Sequence, residues 1–233
     1  MINYLLWDSS FFDIPIYELK DEDIVKVNLD KEIHSLSSGS LIQYKANIES
    51  LKLIEKLISH GFSVEDSGVT YEKTVDNKIL KFSDFRLELA KEQDIKVIQK
   101  ILQDAFSNTR FKDYYFGVNS ANKIYKHWVS AAINGTHDDC CLVNKNINGL
   151  IIGFVTVKKV DNYIKIGLIA VDNNYKRKGV ARELMKLVEV YAVQNNVDRI
   201  MVTTQYNNNA AKSLYRSMGY GKSSEFFWLY CKI

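Results

Sequence analysis

The stretch from Tyr163 to Leu184 restricts the fold more than any other part of the chain. It opens as a largely apolar run, Tyr163–Val171, whose length and branched side chains read as a buried strand. Asp172-Asn173-Asn174 breaks the run, and a basic loop, Lys176-Arg177-Lys178-Gly179, follows. Val180, Ala181, Leu184, Met185, Val188 and Tyr191 then recur at helical spacing. The first turn of a helix has unpaired N–H groups and a partial positive charge, so this loop is suited to an anion. Gly179 and the small Ala181 let backbone approach a phosphate, and Lys176, Arg177 and Lys178 add formal charge. A basic triplet is usually a solvated face or a nucleic-acid patch. Its place between a buried strand and a helix favours a phosphate-bearing ligand instead, of pyrophosphate type. Neither GxxxxGK[ST] nor GxGxxG is present.

Around this unit the periodicities run β-α-α-β-β-β-α-β-α-β. Residues 85–89 read as a strand, and Ile95, Ile98, Ile101, Leu102 and Ala105 mark a helix. Residues 107–119 form a loop rich in aromatics and charge. Ala121, Tyr125, Trp128, Val129 and Ala132 make the stripe of a second helix. Strands follow at 140–143 and 150–158, the second entered through Asn148-Gly149. After the 163–184 unit come a strand at 199–204, a helix at 210–218 and a strand at 226–230. The fold class is α/β (α+β), a mixed central sheet flanked by helices. The N-terminal third reads as a smaller α/β domain. It has extended runs at 11–19 and 40–44, a helix through Leu51, Ile54, Leu57 and Ile58, and a strand at 62–73. The polar stretch 77–84 sets the expected boundary, giving domains 1–80 and 81–233. Leu57 to Phe62 echoes Tyr215 to Tyr220. Helix-Gly-aromatic is a common cap, and if duplicated, the first copy is degenerate, with Leu57 in place of Tyr215.

Composition removes several classes. At 233 residues and 46% hydrophobic content the chain is globular rather than disordered. A net charge of +3 is too small for a bulk polyanion binder, so no nucleic-acid partner is expected. No apolar run approaches the ~20 residues that cross a bilayer, and the first residues lack the features of a signal peptide. Cys140, Cys141 and Cys231 have no CxxC spacing, and adjacent cysteines do not readily bridge. A reduced, cytoplasmic setting is expected. His34, His60, His127 and His137 share no spacing, and no metal site is expected.

A second signal is Asn208, Ala211 and Tyr215, which share one face of the last helix. Asn207 or Asn208 can cap it, Ala211 leaves a groove, and Tyr215 points a hydroxyl into it. A helical tyrosine alone is more often core with a polar tip. Following the phosphate loop and one strand, it becomes a candidate catalytic group.

Over residues 85–233 the chain resembles the GNAT N-acetyltransferase superfamily. Lys176-Arg177-Lys178-Gly179-Val180-Ala181 is similar to its [RQ]xxGx[GA] motif, with Lys176 in place of Arg or Gln. Residues 208–220 match NxxAxxLYxxxG[FY] at each fixed position. A narrower resemblance, to TDP-fucosamine acetyltransferases, covers nearly the whole chain. It rests on residues 6–12, Arg110-Phe111, Gly135-Thr136-His137-Asp138, Ile166-Gly167-Leu168 and Trp228-Leu229-Tyr230. Leu214 stands where that family is often basic.

The resemblance implies a GNAT fold and acetyl transfer from acetyl-CoA to an amine, that of a dTDP-linked amino-dideoxy sugar used for surface polysaccharide. Leu168, Ile169, Ala170 and Val171 would pair with pantetheine where their strand splays from the strand at 199–204. Lys176 to Ala181, with Asn208 and Ala211, would hold the rest of the cofactor. Tyr215 would be placed to supply a proton to the departing thiolate. A thiol of pKa ~8.5 and a tyrosine of ~10 make full proton transfer uphill by about 2 kcal/mol, so it would act mainly as a hydrogen-bond donor unless its own pKa is lowered. The acceptor is expected at Arg110, Asp113, Tyr114 and Tyr115, with Arg110 on a diphosphate. Trp128 and Tyr125 read as core. The N-terminal domain would complete the acceptor pocket or form a homodimer contact. A protein N-terminus, an aminoglycoside, or a non-catalytic acyl-CoA sensor are the alternatives.

Overall fold

The computed structural model describes residues 2–21, 24, 28–75, 86–103, 105 and 109–233. In chain order come β1 (Asn3–Tyr4), α1 (Leu6–Phe12), β2 (Ile16–Glu18), α2 (Leu29–His34), β3 (Leu41–Asn47), α3 (Leu51–Ser59) and β4 (Ser63–Thr74). They continue with α4 (Ile95–Gln103), α5 (Asp113–Phe116), α6 (Ser120–Ile133), β5 (Cys140–Lys145), β6 (Ile151–Val160) and β7 (Tyr163–Val171). α7 (Val180–Gln194), β8 (Arg199–Gln205), α8 (Asn209–Ser217) and β9 (Gly221–Lys232) complete the chain. It forms two compact units, residues 1–69 with 109–121 and 224–233, and residues 70–108 with 122–223. Neither unit is one stretch of chain, and the expected boundary at 77–84 lies outside the described residues.

In the first unit β1 pairs antiparallel with β2, β2 parallel with β3, and β3 antiparallel with β9. Ile42, Tyr44 and Ala46 share a core with Ile24, Leu29, Leu57, Phe62 and Leu229, all close to fully buried. The extended run expected at 11–19 is a helix and a short strand instead. Trp7 and Phe11, one helical turn apart, stack at 5.0 Å. Asp13 at φ 56° ends α1, its N–H bonded to the Ser9 carbonyl, and only 16–18 are left to pair.

In the second unit the order is β4-β8-β7-β6-β5. β5–β6 and β6–β7 are antiparallel and β7–β8 parallel, so the sheet is mixed as expected. Residues 151–157 of β6 are buried without alternation, the pattern of a strand covered on both faces. α4 and α7 both pack on β6 and β7. Gly153 makes this close approach possible, since a Cβ there would lie 3.0 Å from Val180 and 3.1 Å from Leu184. The strand expected at 85–89 is reduced, within the described residues, to one bridge between Leu89 and Leu142.

Candidate active site

β7 follows β8 for only part of its length. Paired residues run from Tyr163 opposite Arg199 to Ile166 opposite Val202, and there the ladder stops. The second half of β7, from Gly167 to Val171, and the end of β8 therefore leave each other, the splay expected from the sequence. On its other side β7 carries a bulge. Val155 faces Ile169 and Val157 faces Ile166, so Gly167 and Leu168 together oppose Thr156. The Leu168 N–H donates to Thr156 Oγ1 at 2.8 Å, which occupies one backbone donor of the expected pantetheine segment.

Beyond β7, Asp172 accepts from the Asn174 N–H and starts a 3-10 turn, Asn173–Tyr175. Arg177 then sits at φ 61° and Gly179 at φ 88°, folding the loop sharply into α7. Gly179 is the N-cap residue of α7, and no side chain caps the helix. Its first-turn N–H groups are thus not taken by a side chain. Lys176, Arg177, Lys178 and Gly179 are exposed and Val180 is buried. The Lys178 ammonium lies 5.1 Å from the Tyr175 ring centroid. Backbone donors without a side-chain cap, positive side chains and a positive end of a 15-residue helix together suit an anionic ligand.

α8 is started by Asn208, whose Oδ1 accepts from the Ala211 N–H at 3.1 Å while Nδ2 donates to Thr204 Oγ1. Asn208, expected to touch cofactor, thus has both side-chain polar atoms engaged in the cap. Arg182 of α7 donates to Ser217 Oγ and ties the two helices together. Tyr215, two turns into α8, is only 2% exposed. Its ring packs between Tyr71, 5.7 Å away, and Tyr220, 6.2 Å away. Burial pushes the phenol well above its ordinary pKa, so it remains neutral and a donor. Lys73, which donates to the buried Glu189 at 2.7 Å, lies over the Tyr220 ring.

The acceptor residues expected at Arg110 to Tyr115 fall in the other unit and play unequal parts. Arg110 Nη1 donates to Gln43 Oε1 at 3.1 Å and to the Tyr230 hydroxyl at 2.8 Å. The guanidinium lies over Phe111 at 4.3 Å and Trp228 at 4.1 Å, a pre-set orientation for a flat cation. Asp113 Oδ1 accepts from the N–H and Oγ of Ser120, at the start of α6. Tyr114 is exposed and carries Lys232 over its ring. Tyr115 is buried and donates to Glu65 Oε1 at 2.8 Å, its own pKa pushed up to about 12 by desolvation.

Glu65 is not recognisable from sequence, since a carboxylate within a strand run carries no local mark. Desolvation raises its pKa, but hydrogen bonds from Lys112, Ser63 and Tyr115 outweigh it and hold the group ionised. Among the described residues no three His, Cys, Asp or Glu side chains are grouped to hold a metal ion, and no helix is long and apolar enough to cross a membrane.

Known proteins with similar sequences and folds are consistent with this geometry. The acetyltransferase (GNAT) family matches residues 96–220. Along nearly its whole length the chain is similar to a dTDP-fucosamine acetyltransferase of Escherichia coli O6:H1, 26% identical over 98% of this chain and 97% of the relative. A spore coat polysaccharide biosynthesis protein, SpsD of Bacillus subtilis, is 27% identical over 58% of this chain, and N-alpha-acetyltransferase 30 of Mus musculus is 20% identical over 78%. Each of those two alignments spans 46% of the relative. Among solved structures, a functionally unknown conserved protein from Staphylococcus epidermidis superposes with a TM-score of 0.60 at 19% identity, covering 94% of this chain and 84% of that one. A GCN5-related N-acetyltransferase from Sphaerobacter thermophilus gives 0.57 at 13%, covering 87% and 63%. Both share the fold.

Proposed function

The chain belongs to the acetyltransferase (GNAT) family, and from that premise we propose that it acetylates the amino group of a nucleotide-linked amino-dideoxy sugar. The observation that carries the transfer chemistry is the departure of β7 from β8 beside an α7 N-terminus that no side chain caps. A strand edge open for pantetheine and a positive helix end for pyrophosphate are the two things acetyl-CoA needs. Similarity over the full length to a dTDP-fucosamine acetyltransferase, with a polysaccharide-biosynthesis relative beside it, supports the sugar acceptor.

In the proposed reaction the acceptor nitrogen attacks the acetyl carbonyl carbon. The C–N bond forms, the C–S bond breaks with its electron pair leaving on sulfur as CoA thiolate, and the proton lost by nitrogen passes to solvent water, from which the thiolate is protonated. Backbone N–H groups of β7 within residues 167–171, other than that of Leu168, hold the developing oxyanion, where fixed dipoles are effective. Tyr215 donates a hydrogen bond to the departing sulfur without giving up its proton. Arg110, already oriented by Gln43, Tyr230 and Trp228, binds the diphosphate of the acceptor. An amine of pKa about 8 is roughly a tenth neutral at pH 7, a cost on the order of 1.4 kcal/mol that needs no strong base.

The test is release of CoA thiol from acetyl-CoA across dTDP- and UDP-linked 3-amino and 4-amino sugars, with peptides and aminoglycosides alongside. Turnover concentrated on one nucleotide amino sugar is expected. Turnover on N-terminal peptides alone would favour the activity suggested by the N-alpha-acetyltransferase 30 similarity. Tight CoA binding with no turnover anywhere would point to a sensor.

A further inference from the structure

Two sequence segments set apart above, around Asp138 and around Gly167, meet in the second unit at the bulge of β7. Asp138 is 3% exposed, an unusual place for a carboxylate unless something holds it. The Trp128 indole N–H, from α6, donates to Asp138 Oδ2 at 2.7 Å. The same oxygen presses on Gly167. A Cβ added there would lie 2.3 Å from Asp138 Oδ2, 3.2 Å from Asp138 Cγ and 2.6 Å from Thr156 Oγ1. Gly167 does not have a positive φ, so packing rather than backbone conformation requires glycine. Thr156, fully buried, takes the Leu168 N–H from that side of the strand.

We propose that Asp138 is a positioning residue: anchored by Trp128 Nε1 and seated on Gly167 beside Thr156, it fixes the β7 bulge in the shape that aims backbone N–H groups at the transferred acetyl. This rests on the acetyl-transfer reading of β7. A bulge is a local interruption of the ladder, and its peptide planes can turn more freely than paired ones. Oxyanion donors must be set to within roughly 0.5 Å. A carboxylate held by an indole and filling the space where a Gly167 side chain would lie supplies that constraint from outside the ladder. Replacing Asp138 disturbs only the β7 contacts to the cofactor and leaves the phosphate loop and α8 in place, so turnover should fall more than CoA binding.

The experiment compares Asp138→Ala, Asp138→Asn and Trp128→Phe with wild type, using the best amino-sugar acceptor from the panel. Asp138→Ala is expected to lower kcat about 10–100-fold, with Trp128→Phe between it and wild type. The KM for acetyl-CoA and the calorimetric Kd for CoA should move less than about three-fold. Asp138→Asn keeps an acceptor for the indole and a similar shape, and should retain most of kcat. Amide hydrogen exchange at Leu168 should quicken in Asp138→Ala, a readout that needs no substrate. Unchanged kcat in folded Asp138→Ala and Trp128→Phe overturns the proposal. So does a parallel fall of kcat, CoA affinity and Tm, which would mark a purely structural group. If wild type acetylates nothing while Leu168 exchange still responds to Asp138→Ala, the clamp stands and the acetyl-transfer reading falls.

Discussion

Tyr215 is held at 2% exposure between two other tyrosine rings, and this decides which chemistry it can perform. A buried phenol is penalised as the anion, so its pKa rises and the neutral hydroxyl persists through and beyond the range where enzymes are assayed. The sign matters: a raised pKa defers any loss of activity through Tyr215 ionisation to higher pH. Tyr215→Phe should therefore lower kcat about 10²–10³-fold, the worth of one well-placed donor in a dry site, with acetyl-CoA affinity nearly unchanged. The wild-type kcat profile should show no alkaline fall assignable to this residue below about pH 10. A fall with a midpoint below 9 that disappears in Tyr215→Phe would sink the donor role. Single residues differ in how far sequence exposes them. Asn208 announces itself as a cap through its spacing to Ala211. Trp128 reads as core, because its partner Asp138 lies beyond the helix and outside any periodic pattern.

The loop from Asp172 to Gly179 is where sequence spoke most plainly, since strand end, charge and helix start are all local signals. Its sharpest demand falls on Gly179, at φ 88° with no atom within 4 Å of an added Cβ. Space is available there; the backbone angle is what excludes a branched side chain, at a cost of roughly 1–2 kcal/mol. Gly179→Val should weaken acetyl-CoA binding by about ten-fold or more, through a re-angled loop and a side chain beside the helix N–H groups. Gly179→Asn, which tolerates positive φ, should lose less. Calorimetry showing wild-type affinity for the valine variant would remove this loop from the cofactor site. Elements whose formation depends on non-local packing carry no such local signal. The α1 helix depends on Phe12 meeting Phe111 and Phe116, which no window around residues 6–12 can contain. The bulge of β7 likewise is invisible until Thr156 is known to lie opposite.

For the molecule as a whole, periodicity yielded the mixed sheet and its helices, but not how the chain is shared between compact units. The first unit draws Phe111, Tyr115 and Phe116 from the middle of the chain and Leu229 and Tyr230 from its end. Tyr115 and Phe116 both pack edge-on against Tyr230 inside that unit. A fragment of residues 81–233 would carry these aromatics without residues 1–69, whose side chains bury them. It should be poorly soluble or partly unfolded, whereas the full chain should melt cooperatively. Circular dichroism and thermal scans of both would decide, and a soluble, cooperatively melting fragment would contradict the division. Sequence composition offered no warning of this, because chain segments that return to an earlier partner carry no local signature.

The pairing of β3 with β9 has a temporal side. Tyr44 lies opposite Leu229, on the order of 180 residues later in the chain. A ribosome emits β3 long before its neighbour exists, so the first unit cannot close during most of translation. Its apolar strand must wait with an open edge, an invitation to self-association. The yield of native protein should accordingly respond to growth temperature and to holding chaperones more than its equilibrium stability alone would suggest.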